Sequence, residues 1–384
     1  MTHDVLIIGA GMTGCVAARC LADNGLRVLL AERRNHVGGN CHDAKDEHGI
    51  LVHSYGPHIF HTRRRKVVDF LSRFTAWRRY EHRVMARVEG RLVPVPFNLT
   101  ALEICLPDNA PKLTKLLIDT YGYGASIPIL DLRRHSSSAL RDLGEFVYTK
   151  IFQGYTQKQW GLSPEEISPA VTARVPFRVN HDDRYFTDSF QAMPEAGYTP
   201  MFESMINHPG INVQLDTAFA DIAGGHAALP CIHTGAIDEH FGFSLDPLPY
   251  RSARFEFQHL RQQRHLPVAV VNEPDANLPH TRICEYRLLT GQEAMGTTVG
   301  LEFPCAHLPG KTQPSYPVRT PASVIRYREY KQMARRHASR TIFCGRLGSF
   351  RYYNMDDAVL AGMGAAKAIL HFLPSRHRTP DVAE

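Results

Sequence analysis

Three glycines, Gly9, Gly11 and Gly14, stand in GxGxxG spacing near the start of the chain, and Glu32 closes the same stretch. Each residue type suits a diphosphate. Gly9 permits a tight turn off a strand, Gly11 has no Cβ to keep a pyrophosphate from the backbone, and Gly14 lets helix and strand pack closely. Met12 and Thr13 would open the helix, whose N-terminus offers free N–H groups and a partial positive charge to an anion. Glu32 can accept hydrogen bonds from an adenosine ribose, whereas a 2′-phosphate there would meet a carboxylate. The stretch therefore favours FAD or NAD over NADP. A glycine-rich turn that holds no ligand is the plain alternative.

Other side chains could hold the rest of a nucleotide-bearing ligand. Phe152, Tyr155 and Trp160 lie in FQGYTQKQWG, a Gly-bounded polar segment whose rings could wall a base or a sugar. Core aromatics at a helix end would read the same way. Arg174 and Arg178 in TARVPFR, followed by Arg184 and Tyr185, place arginines and a tyrosine on a Pro-bounded loop, where forked hydrogen bonds can grip a diphosphate. Surface arginines are the ordinary reading. His53, His58 and His61 invite a metal, but their spacing does not suit ligand pairs on a helix. No metal is expected; His58 and Phe60 line a cofactor wall or the histidines simply pack.

These groups need a scaffold. Val5 to Ile8 and Val28 to Ala31 are unbroken apolar runs, the mark of parallel strands buried on both faces. With the intervening helix they complete a βαβ unit. Two further glycines follow in Arg33-Arg34-Asn35-His36-Val37-Gly38-Gly39-Asn40. A GG turn at this place resembles the FAD-binding subclass typified by the amine oxidases, which favours FAD over NAD.

Length and composition bound the rest. A chain of 384 residues suggests two or three domains with a sizeable core. No apolar run is long enough to span a bilayer and no signal-peptide start is present, so a cytoplasmic location is expected. Eight cysteines, none in CxxC, read as free thiols. A net charge of +6, spread along the chain, fits an anionic small substrate, and no nucleic-acid-binding pattern is found.

In order, the chain reads as a first part of an FAD-binding domain (1–80), a β-hairpin of a sheet domain (81–97) and a helical insert (98–170). A substrate loop and sheet follow (171–195), then a second part of the FAD-binding domain (196–240), with strands expected over 211–232. An antiparallel sheet domain (241–320) includes a strand over 281–288. A C-terminal part of the FAD-binding domain (321–372) carries a strand–Gly–loop–helix return that resembles the closing piece of FAD-binding folds, where a second helix N-terminus faces the flavin or its phosphates. The tail (373–384) reads as disordered. The fold class is α/β: an FAD-binding Rossmann-like domain with an inserted helical bundle and an antiparallel β-sheet domain.

Several stretches now combine: RNHVGGN (34–40), YGPHIFHT (55–62), VPFN (95–98), GYTQKQWG (154–161), RVPFR (174–178), YFTD (185–188), NLPHTRICE (277–285), YPV (316–318) and CGRLGSFRYYNMDD (344–357). Together they resemble the bacterial UDP-galactopyranose mutases over about residues 3 to 370. The resemblance implies isomerisation of UDP-galactopyranose to UDP-galactofuranose without net redox change, with N5 of reduced FAD as the nucleophile at the anomeric carbon. It assigns Arg174 and Arg282 to the diphosphate, Tyr185, Tyr316 and Tyr352 to the phosphates, and Tyr155 with Phe152 to uracil. Trp160 lies near the sugar, and Asn98 and Asn354 complete the substrate set. His58 is placed at the flavin's reactive edge and counted with the two arginines as catalytic. Arg346 joins the flavin site. The remaining cofactor set is Gly9, Gly11, Met12, Thr13, Gly14, Glu32, Arg33, Gly39, Asn40, Ile59, Tyr353, Met355 and Asp356. A UDP-sugar substrate, a cellular reductant such as NAD(P)H or a reductase, and a homodimer follow from the same likeness. Asn354 departs from the family's usual aspartate, which leaves room for another nucleotide sugar. A flavin oxidoreductase of the amine-oxidase type and a nucleotide-sugar binder without turnover are the rival readings.

Overall fold

The computed structural model describes residues 3–163, 166 and 175–373. Five parallel strands form the nucleotide-binding sheet, in the spatial order Ile211–Gln214, Val28–Ala31, Val5–Ile8, Cys231–His233, Thr341–Phe343. Both apolar runs are strands with the expected ends. Their continuity has a physical cause. Val5, Ile7, Val28 and Leu30 face the main core beneath helices Met12–Asp23 and Met355–Phe372. Leu6, Ile8, Leu29 and Ala31 face a second apolar cluster that includes Phe219 and Ile222. The helix Phe219–His226 carries those two residues, so the expectation of strands throughout 211–232 is corrected. The two core helices close on each other at Gly362, where a Cβ would stand 2.6 Å from the Thr13 carbonyl oxygen.

A second, seven-stranded sheet runs Tyr316–Pro317, Tyr250–Leu260, Thr297–Ala306, Arg282–Glu285, Val270–Asn272, Val84–Val88, Arg91–Val95. All neighbours are antiparallel except Val270–Asn272 against Val84–Val88. The strand expected over 281–288 stops at Glu285 and gives way to the helix Tyr286–Thr290. Pro94 sits on the edge strand, as expected of a residue with no N–H to donate. A three-stranded sheet, Phe60–Thr62, Phe190–Pro194, Trp77–Arg79, links the two halves. Between the strands lie helices Leu99–Cys105, Ala110–Tyr121 and Ser138–Val147. The last passes through a π-helical turn, Tyr148–Gln153, into Gly154–Trp160. The fold is thus the expected combination of a Rossmann-like sheet, a helical portion and a largely antiparallel sheet. All eight cysteines are free. Among the described residues no helix is long and apolar enough to cross a membrane.

Candidate functional site

The GxGxxG segment turns sharply at Gly9, whose φ of +96° only glycine adopts without strain. A Cβ on Gly14 would collide with the Gly9 carbonyl oxygen, so Gly14 keeps the helix close to the strand rather than lining a cavity. The GG turn presses on the same loop. Gly38 donates to the Ala10 carbonyl at 2.8 Å, and a Cβ on Gly39 would lie 2.9 Å from the Gly11 Cα. Helix Met12–Asp23 begins here with no side-chain cap and no acidic residue in its first turn. Glu32 faces the loop, its carboxylate accepting from the amides of Ala10 at 2.8 Å and Arg34 at 3.1 Å.

These elements surround a cavity of about 500 Å³. Of the expected cofactor set, Gly9, Gly11, Met12, Thr13, Glu32, Arg33, Gly39, Asn40, His58, Arg346, Tyr353 and Met355 line it, and Asn354 joins them. The glycine cradle, the uncapped helix start and the acidic strand end fit a dinucleotide diphosphate with its adenosine. Three expected residues lie elsewhere. Gly14 is beneath the loop, and Ile59 lines the neighbouring cavity. Asp356 turns away to accept from Thr62 at 2.8 Å and to pair with Arg64 at 2.9 Å. Asn354 and Asp357 close a capping box on helix Met355–Phe372, so that helix start already meets its own carboxylates. It reaches the cavity through Asn354, Met355 and Ala358.

A second cavity of about 270 Å³ adjoins the first. His58, Arg346, Tyr353, Asn354 and Met355 line both. Seven residues of the expected substrate set, Phe152, Tyr155, Trp160, Tyr185, Arg282, Tyr316 and Tyr352, come together to line the second. Helix Gly154–Trp160 positions two of these rings, Tyr155 and Trp160, through its opposite face. A Cβ on Gly154 would strike the Pro274 carbonyl oxygen, and Lys158 donates to the carbonyls of Glu273, Asp275, Leu278 and His280 at 2.6–3.0 Å. Tyr316 and Tyr352 stack at 5.6 Å, Trp160 tilts against Tyr316 at 5.9 Å, and the Arg346 guanidinium sits 5.0 Å over the Tyr316 ring. Asn98 does not join them. Its Oδ1 caps helix Leu99–Cys105 through the Ala101 amide at 2.9 Å, and its amide donates to Asp183. Arg174 lies outside the described residues.

Charge at the site is set by burial and by one carboxylate. Burial disfavours the Arg282 cation, but the Glu302 carboxylate, with Tyr155 and Tyr316, holds it charged well above its ordinary range. Burial, with His53, Arg346 and Arg282 nearby, pulls His58 down to about 3, so its ring is neutral at pH 7. His58 Nδ1 lies 2.8 Å from the Gly56 carbonyl oxygen, which can only accept; the proton is therefore on Nδ1 and Nε2 is left as an acceptor. His53 accepts from the His58 amide at 3.0 Å, while His61 turns away, pairing with Asp188 at 2.8 Å and stacking on Phe186. Among the described residues no His/Cys/Asp/Glu group could hold a metal ion.

Sequence reasoning missed Arg34, His82 and Glu302, and weighed His61 only as a metal ligand or a packing residue, although it lines the second cavity. The only signal for Glu302 is a carboxylate inside an apolar strand, VGLEF. Arg34 and Arg33 are adjacent and look alike, yet Arg33 reaches out to Glu239 at 2.9 Å while the half-buried Arg34 turns to Asn40 at 2.8 Å.

Comparison with known proteins extends this picture. Residues 150–352 match a family model described as UDP-galactopyranose mutase, and residues 7–74 match one for an NAD(P)-binding Rossmann-like domain. The chain is 34% identical to the dTDP-fucopyranose mutase of Escherichia coli, over 95% of this chain and 98% of that one. It is 32% identical to the UDP-galactopyranose mutase of Mycoplasma pneumoniae, over 96% of each. The crystal structure of a reduced UDP-galactopyranose mutase superposes with a TM-score of 0.74 at 16% identity, over 97% of this chain and 95% of that one.

Proposed function

The chain belongs to the UDP-galactopyranose mutase family, and on that footing we propose that it interconverts UDP-galactopyranose and UDP-galactofuranose with a flavin cofactor and no net redox change. The enzymes of this family are isomerases. The observation that carries the reading is the shared wall: His58, Arg346, Tyr353, Asn354 and Met355 line both the dinucleotide cavity and the aromatic, arginine-bearing one. A cofactor and a nucleotide sugar bound in the two would meet there.

FAD would be held by the Gly9–Gly14 loop, Glu32, Gly39 and Asn40. Bound in its reduced form, it would supply a nucleophile for the anomeric carbon. The chain's own residues bind and orient. Arg282 restrains the departing diphosphate, and the hydroxyls of Tyr316, Tyr352 and Tyr185 donate to its oxygens. Arg174 is assigned to the same diphosphate. Phe152 and Tyr155 offer faces to the base, and Trp160 one to the sugar. His58, neutral and protonated on Nδ1, can accept a hydroxyl proton's hydrogen bond at Nε2. Holding both partners in one geometry is the chain's main contribution to rate. The reading includes a reductant such as NAD(P)H or a reductase, a homodimer and a cytoplasmic location.

A second reading stays within the family. A relative named for dTDP-fucopyranose and relatives named for UDP-galactopyranose are similar to this chain to nearly the same degree. Asn354 lies at the shared wall, where its amide brings no charge. One experiment separates the readings: the dithionite-reduced protein is incubated with UDP-galactopyranose, dTDP-fucopyranose and other nucleotide sugars, and products are resolved by chromatography. A furanose isomer from UDP-galactopyranose supports the first reading. An isomer from another sugar alone supports the second. Peroxide release with no isomer would overturn both.

A further inference from the structure

Beyond the two joined cavities, the described residues form a third, open at the surface, of about 460 Å³. One face of helix Pro321–His337 forms its side, and Lys331 and Arg335, one turn apart, share that face. Arg351 adds a third cation, and Phe343 with the small residues Ala334 and Ala338 supplies apolar surface. Hydroxyls of Ser339, Thr341, Ser349 and Tyr353 complete the lining. No carboxylate stands among the described residues that line it, and none of the three cations forms an ion pair among the described residues. Three positive charges that line one pocket repel one another, and an anion relieves that repulsion. Ammonium, guanidinium and hydroxyl donors are the set that recognises phosphate, and the volume is within the range of small-ligand sites.

Tyr353 connects this cavity to the cleft, for it lines all three. Its hydroxyl donates to Ser349 Oγ at 3.3 Å, and the Arg351 guanidinium lies 5.9 Å over its ring. Its carbonyl oxygen accepts from Arg346 Nη2 at 2.9 Å, and Arg346 lines both cavities of the main cleft. We propose that the third cavity is a second binding site, for a free phosphate-bearing nucleotide, and that Tyr353 transmits its occupancy to Arg346. The site stands on its own lining and does not depend on which sugar is isomerised.

The test is equilibrium titration of the flavin-loaded protein with fluorescent N-methylanthraniloyl-ADP, in the wild type and in the double variant Lys331→Glu, Arg335→Glu. Both residues are exposed and outside the main cleft, so the variant should keep wild-type flavin content and isomerase activity. The expected result is a salt-sensitive binding class that weakens at least tenfold in the variant, with a small shift of the flavin absorbance band in the wild type alone. Pyrophosphate and NADPH as competitors separate the sources: stronger displacement by NADPH supports a nucleotide ligand, and equal displacement by the two overturns it in favour of bare phosphate. Equal affinity in wild type and variant, or displacement by neither competitor, overturns the proposal. Loss of UDP binding to the main cleft would instead count against the functional reading and leave this comparison intact.

Discussion

Arg282 Nε donates to Glu302 Oε2 at 2.6 Å, across two strands whose register places the residues directly opposite each other. Glu302 is almost fully buried at 4% exposure, while Arg282 keeps 23%, open to the second cavity. The carboxylate engages the guanidinium at Nε, and Arg282 lines the second cavity. Glu302→Gln keeps the shape and removes the charge. Hydrogen bonds to charged groups contribute about 1.5–3 kcal/mol, so kcat/KM should fall roughly 10- to 100-fold, with weaker UDP binding by calorimetry. Arg282→Lys should not rescue activity, since one ammonium cannot hold both partners in a fork. Wild-type kinetics in Glu302→Gln would show that the pair does not orient Arg282.

Lys158 should matter for substrate while leaving flavin alone. Its ammonium ties helix Gly154–Trp160 to the loop 273–280 through four carbonyl oxygens. In Lys158→Met those oxygens lose their donor, and the rings of Tyr155 and Trp160 lose their anchor. The expected cost is about 3 kcal/mol of stability, read from denaturant unfolding, with a raised KM and unchanged flavin content. A normal KM in a destabilised variant would separate the clamp from the site.

How much of this was legible beforehand depends on how local each cause is. Val5–Ile8, the three glycines and Glu32 are one continuous segment whose pattern needs no partner to interpret. The helix Phe219–His226 was not legible, because FADIAGGH has weak helix propensity and folds by packing Phe219 and Ile222 onto Leu6, Ile8 and Leu29. Arg282 and Tyr352 were found through likeness rather than pattern, as they lie far apart in the chain. Glu302 escaped because a carboxylate within a strand ordinarily faces water, and only the register with Arg282 turns it inward. Asn98 and Asp356 have the chemistry of ligand contacts, yet one caps a helix and the other answers Thr62 and Arg64. A polar residue's partner is a tertiary fact.

Buried histidines should make stability fall on acidification. Burial lowers His53, His82 and His233 each to about 3. The unfolded chain protonates them near their ordinary 6.5, the folded chain only far below. Their contribution is thus complete above pH 6.5 and shrinks as pH drops toward 3, by about 1.4 kcal/mol per pH unit for each. His53 offers a clean test, because its Nδ1 accepts from the His58 amide at 3.0 Å and Asn can present an oxygen there. His53→Asn should reduce the slope of unfolding free energy against pH, between 5 and 6.5, by about one proton. An unchanged slope would show that His53 titrates alike in both states.

Two adjacent arginines should differ sharply in what they do for the flavin. Arg33 pairs with Glu239 at 2.9 Å on a half-exposed surface, a contact of small energetic weight. Arg34 stacks 4.5 Å over the Tyr55 ring and donates from Nη2 to Asn40 Oδ1 at 2.8 Å and to Gln313 Oε1 at 3.2 Å. Burial lowers its basicity against the opposing pull of Tyr55 and Glu32. Through Asn40 it braces the turn that carries Gly38 and Gly39 against the dinucleotide loop. Arg34→Met keeps the apolar stem over Tyr55 and releases Asn40. Flavin reconstitution of the apoprotein, followed by fluorescence, should show affinity at least tenfold weaker for Arg34→Met and within about twofold of wild type for Arg33→Ala. The reverse order would mean that Glu239 and Arg33, not the Arg34–Asn40 brace, set cofactor affinity.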